Sequence, residues 1–202
     1  MKKILIATTN KGKIRELSHF LSDLSLQLIA LSDLGITDEP EETGKNYTEN
    51  SQLKAVFYSK KSGLPAIADD GGIEIMALDG APGLKSRRWL GPQSTEKDIL
   101  DHMKKLAKEL PDNKRQAYFK TVVSLAFPDG KVISFAGVVE GIIAKDPFIK
   151  QASGYPYRSF FFLPKLNKYY FENELTPEEM KKYNHRYKAV QALKKVLQKE
   201  LF

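Results

Sequence analysis

Apolar and polar positions along the chain fall into two rhythms, one of strands and one of helices. Ile4-Leu5-Ile6-Ala7 is a continuous apolar run, too short for a helix. It predicts a buried strand closed by the polar turn Thr8-Thr9-Asn10-Lys11-Gly12. Ile14, Leu17, Phe20, Leu21 and Leu24 then recur at helical steps, the spacing of an amphipathic helix. Residues 26–31 predict the returning strand. Strand, helix and strand in this order open an α/β fold.

An acidic, turn-rich loop over 38–45 leads to a helix from about Thr48 to Ser62, ended by Gly63 and Pro65. Ala66-Ile67-Ala68 reads as a buried strand that exits on Asp69, Asp70, Gly71 and Gly72, with Ile73 and Ile75 in a further short strand. Thr95 and Asp98 predict a capped helix carrying Ile99, Met103, Leu106 and Leu110. Residues 115–127 and 131–144 predict the arms of a hairpin about Pro128-Asp129-Gly130. An irregular, aromatic stretch follows over 145–175. Thr176-Pro177-Glu178-Glu179 then starts one last helix, with Tyr183, Tyr187, Val190, Leu193 and Leu197 as its inward stripe. No repeat or linker divides the chain, so residues 1–202 are expected to form a single domain or two tight lobes.

Composition narrows the function classes. The chain has 202 residues, 42% of them hydrophobic, enough for a real core. It has no cysteine, which excludes disulfides, thiolate zinc sites and a cysteine nucleophile, and suits a reducing cytosol. No apolar run approaches the ~20 residues of a membrane span, so a soluble intracellular protein is expected. The net charge of +7 would suit nucleic acid. It equally suits a cleft that draws in a small polyanion such as a nucleotide.

Five constellations could carry chemistry. At the exit of an α/β strand, the paired acids Asp69 and Asp70 need a cationic partner, a ligand or a metal. They point to opposite faces if the backbone stays extended, and so do different work. The plainer alternative is an Asx-turn before a Gly-Gly corner. Thr8 to Lys13 joins a strand exit to a helix start, where free amide groups, the helix dipole and Lys13 favour an anion. A capped helix with surface lysines is the alternative. Glu41 and Glu42 precede Asn50 and Lys54, which stand four apart and can address one ligand. Glutamates there could join an aspartate in holding Mg²⁺, which prefers oxygen ligands. Gly80 to Arg88 sets a rigid turn before a basic cluster suited to phosphate or to an acidic neighbour, and Asn184-His185-Arg186 sits within the last helix.

In combination these blocks resemble the inosine triphosphate pyrophosphatase family. The matching residues are Ala7 to Leu17, Glu42-Thr43-Gly44, Tyr47-Thr48-Glu49-Asn50 with Lys54, Ala68 to Ile73, Gly80 to Gly83 with Ser86 and Arg88, Gly154, Tyr157, Pro164, Leu175-Thr176, and His185-Arg186. They occur in the family's order and span nearly the whole chain. The resemblance implies an elongated mixed β-sheet flanked by helices, in two lobes with a nucleotide cleft, and a cytoplasmic homodimer. It implies Mg²⁺-dependent hydrolysis of deaminated purine nucleoside triphosphates (ITP, dITP, XTP) to monophosphate and pyrophosphate, with Mn²⁺ as a substitute metal. Neither membrane nor nucleic acid is expected as a partner.

The resemblance also implies residue roles. Thr8, Thr9, Asn10, Lys13 and Lys54 would hold the polyphosphate, with Gly71 and Arg88 also against substrate. Glu42 and Asp70 would be the metal carboxylates. Asp70 would also activate the attacking water, supported by Asp69. Tyr155, Tyr157, Arg158, His185 and Arg186 would meet the nucleoside, with Arg186 donating to a 6-keto oxygen.

The departures gather around the base. This chain reads Gly154-Tyr155-Pro156-Tyr157-Arg158-Ser159 where the family usually has Gly-Phe-Gly-Tyr-Asp-Pro, so an acid has become Arg158. Met180 replaces a lysine, Asn184 replaces a serine, and Gly71 replaces the serine after the two aspartates. Two alternatives follow: the same hydrolysis on another modified purine or a pyrimidine triphosphate, and a binding protein without catalysis.

Overall fold

The computed structural model describes residues 1–148, 154–171 and 173–201. Its strands are β1 (Lys2–Ile6), β2 (Leu26–Ala30), β3 (Ala66–Ile75), β4 (Gln116–Ala126), β5 (Val132–Ile143), β6 (Phe161–Leu163) and β7 (Lys168–Tyr169). Its α-helices are α1 (Lys11–Phe20), α2 (Tyr47–Ser62), α3 (Glu96–Glu109), α4 (Pro177–Tyr183) and α5 (His185–Leu201). The strands form one mixed sheet in the order β2-β1-β3-β4-β5-β6-β7. The chain divides into two compact units. The first comprises Met1–Asp70, Thr121–Gly137 and the chain from His185 onward; the second comprises Gly71–Lys120 and Val138–Asn184.

In the first unit, β1 pairs in parallel with β2 from Lys2↔Leu26 to Ile6↔Ala30, and with β3 at Leu5↔Ala66 and Ile6↔Ile67. The expected βαβ opening is therefore present. Both faces of β1 are covered, as its unbroken apolar run requires. Ile4, Ile6 and Ile67 pack with Leu17 of α1 and Leu193 of α5. Leu5, Ala7, Ala66 and Ala68 pack on the other side with Ala55 and Tyr58 of α2. Residue parity thus decides which helices a β3 side chain meets. Over Ala66–Asp70, the part of β3 in the first unit, odd positions face α1 and α5, and even positions face α2.

The second unit has its own core, in which Ile73 and Ile75 pack with Ile99 and Met103 of α3 and with Phe119, Phe160, Phe161 and Tyr170. Here β6 runs antiparallel to β5 (Ile143↔Phe161) and to β7 (Leu163↔Lys168). Helix α3 starts on the predicted Thr95–Asp98 capping box. Among the described residues, no helix is long and apolar enough to cross a membrane.

Three expectations change. First, β3 does not end at the aspartates. It runs unbroken to Ile75, so Asp69 and Asp70 lie inside an extended strand and form no Asx-turn. Second, α1 stops at Phe20, with Leu21 as its C-cap, and Leu24 lies beyond it. Third, the last helix is two helices. Asn184 is extended (φ −85°, ψ 117°), and α5 begins afresh at His185. The expected stripe is correspondingly divided. Tyr183 packs with the second unit's core, whereas Tyr187, Val190, Leu193 and Leu197 pack with the first's. The break coincides with a close approach: a Cβ on Gly137 of β5 would lie 1.9 Å from the His185 carbonyl oxygen. The stretch 145–175 includes β6, β7 and a 3-10 helix (Pro156–Phe160), while its residues 149–153 and 172 lie outside the described residues.

Candidate active site

The strand alternation of β3 separates the two aspartates, as expected for an extended backbone. Asp69 faces α1 and α5. Its Oδ2 accepts from Arg186 Nε at 3.0 Å and Nη2 at 2.9 Å, and from the Thr121 hydroxyl of β4 at 3.3 Å. Its Oδ1 lies 3.1 Å from Lys13 Nζ. Arg186 Nη1 in turn meets Glu16 of α1. Glu16, Arg186, Asp69 and Lys13 therefore alternate in sign along one buried chain. Asp69's side chain is fully buried (0% exposed), whereas Lys13 keeps 18% of its side chain exposed. Burial works against Asp69's charge, but Lys13, Arg186 and Lys54 together overcome it and hold the carboxyl well below the ordinary range. Burial likewise lowers the Lys13 ammonium, and Asp69 offsets this only in part.

Asp70 faces α2. Its Oδ2 accepts from the Asn50 amide at 3.2 Å, and its Oδ1 lies 3.3 Å from Lys54 Nζ. The same ammonium donates to Glu42 Oε1 at 2.8 Å. Two carboxylates from distant segments thus converge on one cation. Asn50 and Lys54, four apart on one face of α2, both reach the Asp70 carboxylate. Burial, and Glu42's charge behind it, raise the Asp70 carboxyl against the pull of Lys54 and Lys13. For Lys54, burial is outweighed by Asp70 and Glu42, so the ammonium is raised.

The Glu42 loop is fixed to α2 from its own end. Asn46 caps the helix by accepting from Glu49 N at 2.9 Å, while Glu49 Oε2 accepts from Lys45 N at 2.7 Å. Gly44 N donates to Asn50 Oδ1 at 2.8 Å. A Cβ on Gly44 would stand 2.5 Å from that oxygen and 2.7 Å from Glu49 Cβ, so only glycine fits there.

At the start of α1, Asn10 Oδ1 accepts from Gly12 N at 2.8 Å and Lys13 N at 3.1 Å. Two amide donors expected to face an anion are therefore satisfied by the helix's own cap. The Thr8 hydroxyl accepts from Asn10 N, and the Thr9 hydroxyl donates to Glu39 at 3.3 Å.

The second unit holds Gly71, Arg88, Tyr155, Tyr157 and Arg158. Tyr157 is buried and its hydroxyl donates to the Ser86 carbonyl at 2.6 Å; burial raises that hydroxyl. Arg158 is also buried. Its guanidinium carbon stands 3.8 Å from the Tyr155 ring centre and 4.8 Å from that of Tyr170. Arg88 is exposed at the end of a 3-10 helix (Gly83–Arg88), and Gly71 is half-buried in β3.

The Ham1 family pattern matches residues 4–196. This chain belongs to the Ham1 family. It is 38% identical over 191 residues to a dITP/XTP pyrophosphatase of Thermus thermophilus, covering 95% of this chain and 89% of that one. It is 41% identical over 198 residues to the dITP/XTP pyrophosphatase of Haemophilus influenzae, covering 97% and 99%. Among solved structures, the Staphylococcus aureus Ham1 protein superposes with a TM-score of 0.80 at 32% identity, over 98% of this chain and all of that one. A HAM1 protein from Coxiella burnetii gives a TM-score of 0.82 at 33% identity, with the same coverage.

Within this Ham1 chain, the residues expected at the phosphates and metal come together: Lys13, Glu42, Lys54, Asp69 and Asp70 all belong to the first unit. Arg186 is buried beside Asp69 and Glu16. Three of its guanidinium nitrogens are engaged by Asp69 and Glu16, because a cation in the first unit's interior needs acids around it. His185 is buried as the first residue of α5. Asp69 is buried, with Lys13 and Arg186 against its carboxylate. Sequence reasoning missed Glu16 and Thr121. Glu16 was legible as the residue one turn after Lys13, beside Leu17 on the buried face. Thr121 carried no comparable signal.

The donor chemistry at Glu42 and Asp70 fits a divalent cation. Both groups are oxygen donors, both keep some exposure, and a cationic ammonium already stands between them. Among the described residues no cluster of three or more His, Cys, Asp or Glu is set to bind a metal. Two carboxylates with substrate oxygens completing the shell are the mode Mg²⁺ favours at polyphosphates.

Proposed function

We propose that this protein hydrolyses deaminated purine nucleoside triphosphates (ITP, dITP and XTP) to the monophosphate and pyrophosphate, with Mg²⁺ or Mn²⁺. The observation that carries the reading is the convergence of Glu42 and Asp70 on Lys54. A site that only bound anions would gain nothing from two acids. The family membership and the names of the two relatives supply the substrate class.

In this reading Lys13 and Lys54 bind the polyphosphate and hold the charge that grows on the departing pyrophosphate. Asp70, the more accessible aspartate, accepts the proton of a water as that water's oxygen attacks the α-phosphorus. The bond from that phosphorus to the bridging oxygen breaks, and pyrophosphate leaves. Asn50 orients the Asp70 carboxylate, and Asp69 holds Lys13 in place. Glu42 and Asp70 hold the cation, which when bound screens the phosphate charge. Homodimeric assembly and a cytoplasmic location enter this reading through the family resemblance, and light scattering tests the first.

A different base preference has one observation in its favour: the Arg158 guanidinium lies over the rings of Tyr155 and Tyr170, a cation where the family usually has an acid. One panel tests both. Pyrophosphate release from ITP and XTP well ahead of ATP, GTP, CTP and UTP is expected. Release of orthophosphate, or no turnover of any triphosphate with Mg²⁺ or Mn²⁺, overturns the proposal.

A further inference from the structure

We propose that Lys54 is the resident counter-cation of the Glu42–Asp70 pair, so that a divalent metal and this ammonium compete for the same acids and metal enters with the triphosphate, not ahead of it. This rests on the reading of Glu42 and Asp70 as the metal carboxylates.

The ammonium lies 2.8 Å from Glu42 Oε1 and 3.3 Å from Asp70 Oδ1. A metal held by both acids would occupy the region the ammonium now fills. Two cations so close repel strongly in a largely buried place, where water screens poorly. Either the lysine withdraws or the metal is excluded. Withdrawal alone is unfavourable, because it leaves a largely buried ammonium without its acids. Nor would the metal gain a full protein shell in exchange, since no third metal-binding side chain joins these two among the described residues.

A triphosphate changes both terms at once. Its oxygens offer the lysine new acceptors, and they complete the metal's coordination. Lys54 then moves its charge from the acids to the substrate, and the acids become available. Metal and nucleotide affinities are thereby linked, each raising the other by the same factor. Lys54 thus has two successive partners, carboxylates when the site is empty and phosphate when it is full.

The test is Mn²⁺ binding to the nucleotide-free protein, read from the electron paramagnetic resonance of free Mn²⁺. Wild type and Lys54→Arg should bind weakly. Lys54→Met, which keeps the apolar stem, should bind about ten-fold more tightly or better once the competing charge is gone. That gain should vanish in Lys54→Met combined with Glu42→Gln. Lys54→Gln gives a second test should the methionine variant fail to fold. If a neutral variant binds no better than wild type, yet Glu42→Gln weakens wild-type binding, the competition is refuted and the carboxylate pair stands. If Mn²⁺ binding depends on neither Glu42 nor Lys54, the metal pair itself is wrong.

Discussion

Arg186 lies across Asp69, placing Nε and Nη2 on the same carboxylate oxygen at 3.0 and 2.9 Å, while Nη1 meets Glu16. A guanidinium committed in this way organises the interior of the first unit. Removing it leaves two buried acids with one fewer cation. Breaking such a pair from one side typically costs about 3–5 kcal/mol. Arg186→Met should therefore lower urea-denaturation stability by about that amount. It should also depress kcat/KM for ITP, XTP and GTP by similar factors, because Lys13 loses its anchor. Unchanged stability with a loss confined to ITP and XTP would return Arg186 to base recognition.

Asp69 also sets how the protein meets acid. Its folded-state carboxyl is held below the ordinary value by Lys13, Arg186 and Lys54. The unfolded chain, with an aspartate near ~3.9, takes up a proton first as pH falls. Stability from this group is thus fully present above about pH 4 and declines as pH drops toward the folded value. Asp69→Asn should lower stability at neutral pH and flatten the acid limb of the curve. Parallel pH–stability curves for variant and wild type would remove Asp69 from this role.

Asp70→Asn keeps the shape of the side chain and can still bond to Asn50, so the fold should persist. It can neither accept a proton nor offer an ionised oxygen to a metal. Turnover should fall by about 10²–10⁴-fold, the usual contribution of a positioned base. Pyrophosphate release and circular dichroism on the same samples check the two halves, and near-normal activity would transfer the role elsewhere.

Much of this architecture was readable in the chain itself. The apolar run of β1, the steps of α1 and the turn about Gly130 each follow from residue order alone. Even the opposite facing of Asp69 and Asp70 follows from strand alternation, although the strand was expected to stop there. What could not be read was long-range pairing. Arg186 lies 117 residues from Asp69 and 170 from Glu16, and no local pattern announces which buried acid a buried cation will meet. The break at Asn184 was hidden for the same reason, because an unbroken helical periodicity ran through a position where Gly137 presses against His185. The base-side departures were visible as residue changes, yet their geometry was not: the Arg158 guanidinium lies over the rings of Tyr155 and Tyr170.

Gly44 joins the Glu42 loop to α2 at a point with no room for a methyl group. Its absent Cβ would stand 2.5 Å from Asn50 Oδ1 and 2.8 Å from Asn50 N. Gly44→Ala must push the loop away from α2, and Glu42 with it. Overpacking of this kind costs about 1–3 kcal/mol. Melting temperature should fall, and the Mg²⁺ concentration needed for half-maximal rate should rise. A variant matching wild type in both would show that the loop yields without moving Glu42.

Arg158 provides the sharpest separation between packing and recognition. Its guanidinium faces the rings of Tyr155 and Tyr170, an arrangement worth up to about 2 kcal/mol or more when desolvated. A lysine keeps the charge but lacks the planar guanidinium, so it loses part of the contact with both rings. Arg158→Lys should therefore lower stability by about 1–2 kcal/mol while leaving the ranking of triphosphates unchanged. Arg158→Asp reverses the charge and, if this position meets the base, should move kcat/KM toward ITP and XTP. The pair of variants distinguishes the two roles: loss of stability in both with one common substrate ranking makes Arg158 a packing residue, whereas a ranking that changes only with aspartate makes it a determinant of base choice.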